Sequence, residues 1–183
     1  MLSRAKAGKF PSGNGRVIKE NIIPAYIEEV ASDIAVSVPL KVVIDAGNGA
    51  TSFLGPDLFE EIGCEVVPLY CEIDGTFPNH APDTSDENNL FDLVQKVIAE
   101  EADFGVAFDG DGDRLAVITA SGRIVRSDEL LMIFAEDVVS RNPGSDVVFD
   151  VKCSTRLADV IARHGGRPVL WKTGHAFMKE KMA

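Results

Sequence analysis

The chain has 183 residues, 45% of them hydrophobic and 26% charged, enough to bury a core in one complete domain and part of another. Its apolar runs are strand-sized, far short of the roughly 20 residues that cross a bilayer, and residues 1–20 lack the apolar core of a secretory signal, so neither membrane nor export is expected. A net charge of −11 argues against nucleic-acid or anionic-membrane partners, and three cysteines without CxxC spacing argue for a reducing, cytoplasmic setting without a disulfide framework.

Residues 1–15 are rich in Gly, Ser and Lys and read as a flexible lead-in. Over 17–37, Ile23, Tyr26, Ile27, Val30 and Ile34 recur every three or four residues, which predicts an amphipathic helix with Pro24 in its first turn and Pro39 as its stop. Short β-branched runs then alternate with helical ones. Strands are expected at 41–45 (KVVID), 64–70 (CEVVPLY) and 103–109 (DFGVAFD), with a helical stretch ending near Gly63 and a helix over 89–101 that presents Leu90, Leu93, Val94 and Val97 on one face. Residues 71–89 read as a long polar loop, and 114–125 as a hairpin around Ala120-Ser121-Gly122. Ser127 is the expected N-cap of a helix over 128–141. Asn142-Pro143-Gly144 breaks the chain, and the rhythm restarts with strand 146–151, helix 154–164 and strand 168–171. The expected class is α/β: a mixed, mostly parallel sheet flanked by helices, followed by an incomplete second α/β unit.

Charge is distributed unevenly along these elements. Residues 1–41 carry a net +2, 42–143 a net −16 and 144–183 a net +3. An acidic middle between basic ends suits a cation site facing a site for an anionic ligand, and equally suits a solvated acidic surface.

The strongest local signal is Asp109-Gly110-Asp111-Gly112-Asp113-Arg114 at the end of a buried strand. Three carboxylates this close repel one another unless a cation neutralises them. Hard oxygen donors on a tight glycine-containing loop favour Mg²⁺, with Mn²⁺ next. An EF-hand starting at Asp109 would need Gly and Glu where Arg114 and Ala120 stand, so a calcium hand is excluded. A haloacid-dehalogenase-like phosphatase, with Asp109 as nucleophile, stays open, although Asp113 stands where that pattern has Thr or Val. A non-catalytic Mg²⁺-binding module also stays open. Gly47-Asn48-Gly49-Ala50 after strand 41–45 has Ser52 where a dinucleotide fingerprint has its third small residue, and reads as a tight turn into a helix. No GxSxG, HExxH or other nucleophile constellation is present.

GVAFDGDGDR (105–114) resembles the metal-binding loop of the α-D-phosphohexomutases. KVVIDAGNGA (41–50), CEVVPLYCEIDGTFPNHAPDTSDENN (64–89), FDVKC (149–153) and WKTGH (171–175) extend the likeness, within that superfamily, to the bacterial phosphomannomutase/phosphoglucomutase branch. The resemblance implies interconversion of hexose 1- and 6-phosphates, with mannose or glucose as the sugar, through an enzyme phosphoserine and a hexose 1,6-bisphosphate. It implies Mg²⁺ on Asp109, Asp111 and Asp113, with Arg114 contacting phosphate beside the phosphoserine. Lys152, Gly174 and His175 would serve the sugar phosphate. On their own pattern His80 and His164 read as structural or surface residues. The resemblance divides the chain into the end of a first domain (1–38), a metal-binding second domain (39–143) and the start of a third (144–183). The TASHNP-like serine segment and the GEMSGH-like sugar loop of the family are absent, so the chain is expected to be a piece of such an enzyme, inactive alone. Self-association through 144–183 is expected from its apolar strands.

Overall fold

In the computed structural model, which describes residues 2–34 and 36–183, seven strands and seven α-helices follow one another in α/β fashion. Helix α1 (Leu2–Lys6) is short and exposed, and no regular structure occurs from Lys9 to Ile22. Helix α2 (Ile23–Ser32) starts with Pro24 in its first turn, as expected. It stops well before Pro39. The Ser32 hydroxyl donates to the Glu29 carbonyl (2.8 Å) and the Asp33 N–H to that of Val30 (3.3 Å), closing the last turn and leaving Ile34 outside the helix. Ala35, within the expected helix, lies outside the described residues.

The first sheet contains β1 (Lys41–Asp45), β2 (Glu65–Leu69), β3 (Phe104–Phe108), β4 (Leu115–Thr119) and β5 (Ile124–Val125), in the order β2-β1-β3-β4-β5. Strand β1 pairs in parallel with β2 and β3, while β3, β4 and β5 run antiparallel, giving the expected hairpin. Side chains alternate across β1. Val42 and Ile44 join Val106 and Phe59 of helix α3 (Gly55–Glu61) on one face, whereas Val43 joins Leu93 and Val97 of helix α4 (Phe91–Ala99) on the other. The three-layer arrangement buries Val42, Val43, Ile44, Leu93 and Val97 completely, worth about 1.5–3 kcal/mol for each such side chain. Gly105 permits the close approach of α4, since a Cβ there would lie 2.5 Å from Val97 Cγ2 and 2.8 Å from Leu93 Cδ1.

Helix α5 (Ser127–Arg141) begins one residue earlier than expected, and its cap is not Ser127. Arg126 stands at that position, and the Glu129 carboxylate reaches back to accept its backbone N–H (3.1 Å). Strands β6 (Asp146–Asp150) and β7 (Arg167–Trp171) pair in parallel, joined by helix α6 (Arg156–Arg163) and followed by α7 (His175–Met182). Ala135 of α5 packs with Phe149, Leu157 and Ile161 in a second core. By these contacts α5, expected at the end of the first unit, sides with β6 and α6.

The topology sets one edge apart. Strands β1, β2 and β3 are parallel, so the segments that leave their carboxyl ends, residues 46–50, 70–86 and 109–114, gather at the same end of the sheet, where ligand sites of open α/β sheets form.

Candidate functional site

The Asp109–Asp113 loop leaves β3 at that edge and turns sharply enough for Gly112 N–H to donate to the Asp109 carbonyl (3.1 Å), with Gly112 at φ +77°. The turn brings one carboxylate oxygen of each of Asp109, Asp111 and Asp113 within 4.8 Å of the others. Asp109 is buried, whereas Asp111 and Asp113 are exposed. Two other loops grip this one. Gly110 donates to the Pro82 carbonyl (3.2 Å) and accepts from Ala50 N–H (3.0 Å). The second contact requires Gly49, because a Cβ there would stand 2.8 Å from the Gly110 carbonyl oxygen.

Arg114 completes the loop. Its backbone N–H donates to Asp109 Oδ1 (3.0 Å) and its Nε to Oδ2 (2.7 Å), while Asp83 lies 3.5 Å from its terminal nitrogen. Burial pushes the Asp109 carboxyl up, but the backbone and guanidinium hydrogen bonds and the charge of Arg114 outweigh it, so Asp109 lies below the ordinary carboxylate range. It is therefore ionised at neutral pH. Each carboxylate oxygen accepts more than one bond, so both Asp109 oxygens retain capacity for a cation.

The residues fit a small hard divalent ion. Octahedral Mg²⁺ holds oxygens at about 2.1 Å and hence roughly 3–4 Å apart, a modest closure of the observed cluster. The Thr51 hydroxyl, packed against Gly112, is buried without a hydrogen-bond partner, an unfilled polar capacity directly behind the loop. Among the described residues this is the one His/Cys/Asp/Glu cluster with such spacing.

A cleft of about 750 Å³ opens between the two units. Arg114 lines it from the 109–114 loop and Lys152 from the carboxyl end of β6, together with Arg126, Asp128, Asp150 and an apolar floor that includes Leu115, Ile124 and Phe149. Asp128 accepts the Ser154 N–H (2.8 Å), fastening the start of α5 to the segment ahead of α6. Lys152 is exposed and pairs with Asp150 (3.5 Å). Burial pushes the Asp150 carboxyl up, yet hydrogen bonds from Thr173 and the Lys152 backbone bring it below its ordinary value, linking the loops after β6 and β7. Gly174, at φ +125°, and His175, the first residue of α7, lie at the same edge but outside the cleft lining, and His175 is exposed. Of the residues expected from sequence, the structure brings the three carboxylates and Arg114 together and sets Lys152 in the same cleft. Arg126, Asp128 and the Asp45–His80 contact beneath the loop were not among the expected residues. An acid closing an otherwise apolar strand immediately before a glycine turn was the available signal for Asp45.

Two family models divide the sequence between them. The phosphoglucomutase/phosphomannomutase α/β/α domain II matches residues 24–122, and domain III matches residues 126–183. The chain belongs to the phosphoglucomutase/phosphomannomutase family. A phosphomannomutase/phosphoglucomutase of Pseudomonas aeruginosa PAO1 is 54% identical over 182 residues, covering 100% of this chain and 39% of that protein. A phosphoglucomutase of Neisseria meningitidis serogroup A is 45% identical over 168 residues, 92% of this chain and 36% of that protein. The crystal structure of a family protein from Burkholderia thailandensis superposes with a TM-score of 0.93 at 45% identity, covering 99% of this chain and 40% of that one. The chain therefore spans about two fifths of the length of the curated relatives it matches. Membership in this family sets aside the haloacid-dehalogenase reading, and no described helix is long and apolar enough to cross a membrane.

Proposed function

We propose that this chain supplies the metal-binding unit and part of the sugar-phosphate-binding unit of a phosphohexomutase that interconverts hexose 1- and 6-phosphates, with mannose or glucose as the sugar. The units would be 39–125 and 126–183, because α5 shares the core of β6 and α6 and the two family matches part between residues 122 and 126. The observation that carries the proposal is the placement of three convergent carboxylates one residue from Arg114, which shares a cleft with Lys152.

In this reading Asp109, Asp111 and Asp113 hold Mg²⁺, which when bound neutralises charge on the oxygens of the transferring phosphoryl group. Arg114 has its Nε committed to Asp109, which orients the guanidinium while 58% of the side chain stays accessible to a phosphate. Lys152 places a second cation across the cleft, and Gly174 and His175 shape the neighbouring loop for the sugar phosphate. The phosphoryl donor would be a phosphoserine and the intermediate a hexose 1,6-bisphosphate. The sequence holds no TASHNP-like serine segment, so these 183 residues alone would not turn over.

The test is a graft. Replacing the matched segment of the P. aeruginosa relative with this chain, which is 54% identical to it, should give a chimera active on glucose 1-phosphate in a coupled assay. Asp111→Asn in the graft should abolish that activity. A folded chimera whose turnover survives both Asp111→Asn and Arg114→Ala would overturn the assignment. A folded but inactive chimera would favour a non-catalytic cation-binding module.

A further inference from the structure

Asp45 ends β1 with a side chain that is 0% exposed. Its Oδ1 accepts the Gly47 N–H (2.8 Å), and its Oδ2 meets His80 Nε2 (3.1 Å). The other ring nitrogen, Nδ1, faces the Ala81 carbonyl (2.9 Å) and can only donate to it. The ring is further held edge-on by Tyr70, with centroids 5.5 Å apart, and the Tyr70 hydroxyl donates to Asp92 of α4 (2.8 Å). A buried carboxylate and an imidazole 35 positions apart in sequence thus fasten the 46–50 turn to the 79–82 segment. A second tie lies beside them, from Asn79 Nδ2 to Asn48 Oδ1 (2.8 Å).

These two segments are the ones that grip Gly110, through Ala50 N–H on its carbonyl and the Pro82 carbonyl on its N–H. Gly110 lies between Asp109 and Asp111, so the orientation of its peptide groups sets where those two carboxylates point. We propose that Asp45 and His80 are a positioning pair: touching no ligand, they fix the two loops that hold Gly110 and thereby hold the Asp109–Asp113 carboxylates ready for a divalent cation. The inference rests on the reading of residues 109–113 as a cation site and adds to it the residues that set its geometry.

The pair acts through hydrogen bonds rather than through the charge of Asp45. One proton lies between Asp45 and His80 Nε2 whichever atom carries it, and an asparagine at position 45 keeps the two shorter contacts, its oxygen accepting from Gly47 and its amide donating to Nε2, and loses only the longer approach of Nε2 to Oδ1 (3.3 Å). Charge and geometry therefore separate experimentally. Mn²⁺ serves as the probe, with free ion read by electron paramagnetic resonance on the 183-residue chain, alongside circular dichroism and hydrogen exchange of the Gly110 amide.

Asp45→Asn should bind Mn²⁺ within about twofold of the parent chain, whereas His80→Asn should weaken binding by about tenfold, the range seen when groups supporting metal ligands are removed. His80→Gln keeps the bond to Asp45 and loses the one to Ala81, so it should fall between, at about threefold. It also replaces His80→Asn in the test should the latter not fold. Gly110 exchange should accelerate in the His80 variants and stay unchanged in Asp45→Asn. Folded His80 variants with parental Mn²⁺ affinity and parental Gly110 protection would overturn the inference. So would an Asp45→Asn loss as large as that of His80→Asn, since charge would then be the acting quantity. Failure of the parent chain itself to bind Mn²⁺ would overturn the cation-site reading, and Gly110 exchange would still decide whether the pair holds the loop.

Discussion

Gly49→Ala isolates the contact between the 46–50 turn and the 109–114 loop. Gly49 has φ −86° and ψ −168°, an extended conformation that alanine adopts freely, so no dihedral strain is introduced. The new Cβ meets backbone on every near side: the Gly110 carbonyl oxygen at 2.8 Å, Gly110 Cα at 3.0 Å and the Ala46 carbonyl oxygen at 3.1 Å. Backbone cannot rotate away, so the loops must part by about half an ångström. Overpacking of this kind costs about 1–3 kcal/mol, and stretching the Ala50–Gly110 hydrogen bond adds up to about 1 kcal/mol. The reduced freedom of the unfolded chain returns about 0.4–1 kcal/mol, so the net loss should be about 1–3 kcal/mol. Because Gly110 carries the displacement into Asp109 and Asp111, Mn²⁺ affinity should fall by about tenfold. Gly63→Ala is the control: its φ of +96° imposes strain, but nothing lies within 4 Å of its Cβ position, so it should cost about 1–2 kcal/mol and leave Mn²⁺ binding alone. Urea unfolding and Mn²⁺ titration of the two variants decide the matter. If Gly49→Ala is destabilised yet binds Mn²⁺ as well as Gly63→Ala does, the grip of the turn on Gly110 does not set the site.

Arg114→Ala removes the guanidinium that helps hold the Asp109 carboxyl below its ordinary range. A depressed folded value contributes stability above the unfolded carboxylate value of about 3.9 and loses it as pH falls through the folded one. The gap in urea midpoint between parent and variant should therefore be constant near neutrality and close in acid, and a gap that persists in acid would contradict this. Tyr70, hydrogen-bonded to Asp92 and further affected by burial and that charge, is pushed up to about 12. Its contribution is intact below the unfolded value of about 10 and lost as pH rises through the folded one, so a late tyrosinate absorbance should vanish in Tyr70→Phe; a parent titration complete before about pH 11 would refute it. Apolar side chains stay exposed on the second unit, with Ile133, Phe134 and Val138 on α5 and Leu170 and Trp171 on β7. Concentration-dependent self-association should follow and be visible by light scattering, whereas a monodisperse monomer at all concentrations would count against it.

Strands β1 and β3 were legible because both are buried on two faces and so read as short continuous apolar runs. The carboxylate loop was legible because like charges at that spacing on a strand end have few stable explanations other than a cation. The allegiance of α5 was not legible. Ala135 and Val139 mark its buried side, but which core a helix face meets is decided by tertiary contacts that a period of 3.6 residues does not encode. Asp45 and His80 escaped for a related reason. The strand-end acid at position 45 names no partner and His80 sits in a polar loop, and only the parallel pairing of β1 with β2, followed by the return of the 70–82 loop over the sheet edge, brings them together. The early stop of α2 turns on one serine hydroxyl and one backbone amide, contacts too local and too weak to outvote the apolar period that runs on through Ile34.

The most direct measurement locates the ion. Mn²⁺ added to the ¹⁵N-labelled chain should broaden the amide resonances of residues 109–114 first, in a saturable 1:1 manner that excess Mg²⁺ reverses, and Asp111→Asn should weaken the effect sharply. Broadening spread evenly over the acidic surface, or saturable broadening at residues 109–114 that Asp111→Asn leaves unchanged, would contradict the claim that Asp109, Asp111 and Asp113 form the cation site of this chain.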